Sequence, residues 1–175
     1  LITAPDALSK TRLEYLWKTY TAILDWIKFS DTKAAAVLAA NGAVVGITLT
    51  NAETINTLSD KSIVLQMLLI IGGLSLYASA ILCLLSLIPN LSVGEPSSII
   101  FFAHIAHKSK TVHDYNQAID TVFNNNKEVN QIADQIWAIS RVAKRKYFLI
   151  GWGIRCFAGM IITTLVFIAL GVLIH

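Results

Sequence analysis

Ile63 to Ile88, IVLQMLLIIGGLSLYASAILCLLSLI, runs for 26 residues without a charged side chain and ends against Pro89. At about 1.5 Å of rise per residue, a helix of that length covers about 39 Å, more than the roughly 30 Å of hydrocarbon in a bilayer. Two further apolar runs flank it. Ala34 to Thr50, AAAVLAANGAVVGITLT, has 17 residues and meets the short limit for a crossing, while Tyr147 to Ile174 is interrupted only by Arg155. The first run starts behind a polar, helical segment and is followed by a second span, which is not the layout of a secretory signal.

Composition agrees with the runs. Of 175 residues, 55% are hydrophobic and 14% charged, with mean hydropathy +0.61. A soluble domain carries about a quarter charged residues. Disorder, a collagen-like fibre and a disulfide scaffold are excluded by the same figures. Cys83 and Cys156 both lie within apolar runs and read as small packing residues rather than a secreted framework. The expected fold is an all-α membrane protein, a single module over 1–175. It has three transmembrane helices (34–50, 63–88, 147–174) and a cytoplasmic helical bundle continuous with them. The chain opens at Leu1 rather than at a methionine, which fits a trimmed piece of a longer protein.

Three crossings put segments 1–33 and 89–146 on the same side. That side holds Lys10, Arg12, Lys18, Lys28, Lys33, Lys108, Lys110, Lys127, Arg141, Lys144, Arg145 and Lys146, twelve of the 14 basic residues. Lys61 and Arg155 are the other two. Positive charge is retained in the cytoplasm, so the N-terminus and the middle segment are expected there.

Apolar residues in these segments recur at helical spacing. Leu13, Leu16, Tyr20, Ile23 and Ile27 form one seam, and Val129, Ile132, Ile136, Ile139 and Ala143 another. Val112, Tyr115, Ile119 and Val122 form a shorter stripe after Thr111-Val-His-Asp114, which reads as a capping box. Asn124-Asn125-Asn126 separates the last two helices. Neither Pro nor Gly interrupts the passage from 11–30 into the first span or from 127–146 into the third, so both are expected as continuous helices.

The chain has no Walker A loop, GxSxG elbow, HExxH or CxxC pair, so it is expected to be no enzyme and to use no cofactor. His104 and His107, three apart on a helix, have no carboxylate at matching spacing, and no metal is expected. Asp31 and Lys33, in Phe29-Ser-Asp-Thr-Lys-Ala, read either as a polar collar at the headgroups or as an inward pair reaching another helix. Gly42 and Gly46 make a GxxxG pair in an alanine-rich span; Ser75 and Ser79 mark a similar face, and Asn41 can bond across helices. Those faces suit packing within the chain or self-association. Arg155, eight residues into the third span, reads as snorkelling to the headgroups, as pairing with a buried carboxylate or as lining a water-filled path.

Phe29-Ser-Asp31-Thr-Lys33-Ala34 leading into Asn41-Gly42 resembles the first-span entry of the Pycsar effector transmembrane family (PycTM). Leu87-Ile88-Pro89 follows in the same order, then Ile100-Phe101-Phe102-Ala103-His104-Ile105-Ala106, Asn130-Gln131-Ile132, Ser140 and Lys146-Tyr147. The resemblance covers about 15–160. It implies an antiviral effector in a bacterial inner membrane: a partner cyclase makes cyclic CMP or cyclic UMP, and the membrane protein binds it and impairs that membrane, stopping growth. Some relatives carry an additional N-terminal domain. A cyclic mononucleotide needs a cation for its phosphate and a stacking surface for its base. Phe101, Phe102, His104, His107, Lys108 and Tyr115 are the candidates, with core packing the rival role for the two phenylalanines; Arg141, Lys144, Arg145 and Lys146 fit either phosphate or anionic lipid. The expected partners are the bilayer, a cyclic pyrimidine mononucleotide and further copies of the chain, with no nucleic acid. The rival expectation is a ligand-independent scaffold or channel accessory that binds a cytoplasmic protein.

Overall fold

The structure, a computed structural model, describes residues 4–88, 98–124 and 127–174, apart from the side chains of 4–9, Phe102 and Ile174. Leu1, Pro89, Asn125 and Asn126, each part of an expectation above, lie outside the described residues. Six helices account for nearly all the rest, with no strand among the described residues: α1 (Ala4–Thr50), α2 (Ala52–Ser59), α3 (Ile63–Leu87), α4 (Phe102–Lys108), α5 (Val112–Asn124) and α6 (Glu128–Ile174). The fold is all-α, and α1, α3 and α6 are long and apolar enough to cross a membrane. Both expected continuous helices are present, each of 47 residues.

Helix α2 is a short element between the first two apolar runs. Its Ile55 and Leu58 turn one short face inward, and Leu58 side-chain atoms come to 3.8 Å of a Cβ built at Gly171. Ser62 then caps α3, its hydroxyl accepting from the Val64 N–H at 3.3 Å.

The chain divides into two compact units, 1–28 with 89–144, and 29–88 with 145–175. In the first, hereafter unit 1, water supplies the contrast that makes an amphipathic helix. Ile23, Val122, Ile132 and Ala143 are buried, and their seam neighbours Leu13, Leu16, Tyr20, Ile27, Ile119, Ile136 and Ile139 are half-buried. Val112 departs from its stripe. It is 77% exposed, because it is the first residue of α5, one turn ahead of Tyr115, where the capping turn faces water. That turn is a full capping box. The Asp114 N–H donates to Thr111 Oγ1 at 3.1 Å, and Asp114 Oδ2 accepts from the N–H groups of Thr111 at 3.0 Å and Lys110 at 3.1 Å.

In the second, unit 2, three helices pack through an inverted pattern. The buried line of α3 is Leu65, Gly72, Ser79 and Ser86, seven residues apart, with Cys83 beside it. On α6, Lys146, Gly153, Met160 and Phe167 repeat the interval, and on α1 the buried Ala34 and Asn41 stand one such interval apart. A seven-residue interval keeps one face on its neighbours with a slight left-handed winding. On α3 the inner face is mostly small or polar and the outer face carries Ile70, Leu74, Tyr77 and Leu84. Lipid tails are as apolar as leucine, so burial of large side chains drives nothing there, and close approach of backbones does. Ala34, Cys83 and Ile150 form the apolar centre, with Val37, Leu38 and Leu87 packed around them. Toward α2 the helices part around an apolar cavity of about 520 Å³.

Candidate functional site

Inside unit 2 the polar side chains form cross-links between helices. Lys146 of α6 donates through Nζ to Asp31 Oδ1 of α1, an ion pair whose lysine side chain is 11% exposed and whose aspartate is 38% exposed. Ser86 Oγ of α3 donates to the Lys146 carbonyl at 3.4 Å. About two turns further along α3, Asn41 Nδ2 donates to Ser79 Oγ at 3.1 Å, tying α1 to α3. Ser30 Oγ and Asn41 Oδ1 are fully buried without a hydrogen-bond partner. Such groups are costly at membrane depth, where lipid offers no replacement partner.

In unit 1 the candidate ligand residues surround the turn at 98–101. The Ser98 N–H donates to His104 Nδ1 at 3.3 Å, which fixes that ring as the tautomer bearing its proton on Nε2. The Ile99 N–H donates to Gln131 Oε1 at 3.3 Å, and the N–H groups of Ile100 and Phe101 share Ser98 Oγ at 3.2 and 3.3 Å. Tyr115 donates its hydroxyl to the Ile99 carbonyl at 3.0 Å. Phe101 and His104 meet edge to face, centroids 5.0 Å apart. His107 and Lys108 are exposed at the end of α4. Asp114 is held below the usual carboxylate value of 3.8, first by the Thr111 backbone N–H and then by the Thr111 hydroxyl, with partial desolvation opposing them. Among the described residues, no three or more His, Cys, Asp or Glu side chains come together as metal ligands would.

Comparison with known families decides what these units belong to. The Pycsar effector protein domain (PycTM) matches residues 15–174, nearly the whole chain. The chain belongs to the Pycsar effector family. That makes it an antiphage membrane effector. No curated protein and no solved structure matches it.

The placement of the expected residues in this Pycsar effector is uneven. Asp31 reaches across to another helix, whereas Lys33 lies over its neighbour Phe29, 4.3 Å from the ring centroid. Lys146, read as part of a basic collar, is buried against Asp31; Arg141 of that same group stacks on Trp137 at 5.0 Å. Asn41 and Ser79 are joined, and Ser75 is half-buried. Among the described residues, no atom lies within 4 Å of a Cβ built at Gly42 or Gly46, so the described helices do not pack closely on them. The close approaches fall instead at Gly153, where a Cβ would meet Cys83 Sγ at 2.9 Å, and at Gly72, where it would meet Thr163 Oγ1 at 3.0 Å. Arg155 is exposed, its guanidinium 4.9 Å from the Trp152 ring centroid. Of the aromatic candidates, Phe101, His104 and Tyr115 come together while the Phe102 side chain lies outside the described residues. Gln131, Lys146, Gly72 and Gly153 were not singled out for these roles. The seven-residue spacing of Gly72, Ser79 and Ser86 within an apolar run is the mark that reveals Gly72.

Proposed function

We propose that this Pycsar effector binds a cyclic pyrimidine mononucleotide, cyclic CMP or cyclic UMP, in the cytoplasm of a bacterial cell. In this reading the bound form self-associates and impairs the inner membrane, ending growth before a phage completes its cycle. The family match over 15–174 carries the reading, because it takes in both the amphipathic helices and the spans. The protein acts by binding and not by turnover.

Unit 1 supplies suitable chemistry. Phe101 and His104 offer ring surface for a base, and His107 and Lys108 offer positive charge or donors for one phosphate. The messenger shifts the protein toward its active state only by binding that state more tightly, and going from about 1:99 to 99:1 requires about a 10⁴-fold preference. Gly42 and Gly46, on which the described helices do not pack closely, suit close contact between copies.

The test is calorimetric titration of the detergent-purified protein with cyclic CMP, UMP, AMP and GMP, followed by dye leakage from proteoliposomes. Saturable binding of one pyrimidine messenger, with leakage only in its presence, is the expected result. Folded protein that binds none of the four and leaks dye under no condition would refute it and favour a scaffold. Hydrolysis of a bound messenger would replace binding by turnover.

A further inference from the structure

The apolar cavity of unit 2 plays no part in the function proposed above. It is walled by α1, α3 and α6, with Ile55 and Leu58 of α2 at one end, and no charged side chain lines it. Hydroxyls on its wall are taken up locally. Thr48 Oγ1 donates to the Val44 carbonyl at 2.8 Å, Thr163 Oγ1 to the Met160 carbonyl at 2.8 Å, and Thr164 Oγ1 to Met160 Sδ at 3.6 Å. Water placed there would lack the two to four polar partners it needs, and apolar cavities stay dry. The hollow is open on one side and many of its lining side chains are exposed, so in a bilayer its apolar wall is covered by whatever surrounds the spans. The occupant is therefore hydrocarbon.

Its dimensions say which kind. Along α3 the lining runs from Leu68 to Leu76, and along α6 from Met160 to Ile168. Eight steps of about 1.5 Å make about 12 Å, close to one leaflet's share of a hydrocarbon core roughly 30 Å thick. Asn51 and Thr54 stand at the α2 end, while Val44, Leu76 and Met160 form the far end near mid-span. Polar at the helix ends and apolar toward the middle is the order of groups along a phospholipid. We propose that the cavity holds one acyl chain of a membrane phospholipid, from the leaflet on the α2 side. The proposal stands apart from the nucleotide reading.

The whole chain, purified in mild detergent, is expected to retain about one phospholipid in native mass spectrometry. Gly73 lines the cavity and a side chain there meets open space, so Gly73→Phe is expected to fold and to displace the chain. Retention should fall about tenfold. Leu74→Phe, on the exposed face, should retain lipid as wild type does. Adding dioleoyl phosphatidylethanolamine to delipidated wild type should raise its Tm, and adding it to Gly73→Phe should not. If Gly73→Phe fails to fold, Leu76→Phe takes its place. Wild type that holds no phospholipid and shows no Tm response would overturn the proposal, as would equal retention by a folded cavity variant. Unchanged lipid content with lost self-association in the filled variant would assign the cavity to a second copy and overturn it too.

Discussion

At the scale of single residues, the Asp31–Lys146 pair is informative because its two halves are unequally buried. Lysine without its partner would be left charged with its side chain 11% exposed, whereas the aspartate at 38% keeps some access to water or headgroups. Asp31→Ala is therefore expected to destabilise the protein by about 2–3 kcal/mol and Lys146→Ala by about half as much. Denaturant unfolding in detergent would show it, and the double variant should cost less than the two singles added. Ser30→Ala removes a buried hydroxyl that has no partner, so it is expected to leave stability unchanged or raise it by up to about 1 kcal/mol in the same assay. Asp114 sets a pH dependence. Its carboxyl is held low in the folded state, so its contribution to the α5 start is present above the ordinary value of 3.8 and is lost as pH falls through the lower folded value. Protection of the Lys110 and Thr111 amides, taken relative to their intrinsic exchange at each pH, should fall over that acid range in wild type and show no such step in Asp114→Ala. The capping box was legible from Thr111 and Asp114 because its chemistry is local. The partner of Asp31 was not, because 115 residues separate it from Lys146 and charge alone matches many lysines.

At the scale of helices, the same reading worked in one unit and missed in the other. Helix seams in unit 1 were legible because water punishes exposed isoleucine and rewards a polar opposite face. Within the apolar runs no such contrast exists. Gly42 and Gly46 carry the familiar spacing yet face away from their own neighbours, while Gly72 and Gly153 carry the close approaches. Gly153→Leu would drive a side chain into Cys83 and toward the Ser79 carbonyl at 3.5 Å, and is expected to cost about 3 kcal/mol or more, read as lowered Tm in detergent. Gly42→Leu and Gly46→Leu should leave that Tm unchanged. Loss of messenger-dependent leakage in these two variants, at equal expression, would then report on contact between copies rather than on folding.

At the scale of the molecule, the lopsided distribution of lysine and arginine makes a prediction about sidedness. With Cys83 and Cys156 replaced by alanine, Lys61→Cys should react with an impermeant maleimide in intact spheroplasts, and Lys108→Cys only after permeabilisation. The reverse pattern would invert the topology. Three spans and an all-α fold were readable from run length and charge alone, because bilayer thickness constrains helices more tightly than any packing preference does. The division into two compact units was close to legible too: it falls after Lys28 in α1 and after Lys144 in α6, just ahead of the apolar runs that begin at Ala34 and Tyr147.

The small inner face of the three spans also bears on how such a sequence drifts over time. In a water-soluble bundle, the greasiest positions are the ones selection guards. Here Ile70, Leu74 and Leu84 can trade places with any residue of similar oiliness, while Ser79, Ser86 and Gly153 admit almost nothing larger. Among distant descendants of this chain, the plainest-looking letters of the membrane segments should be the last to change.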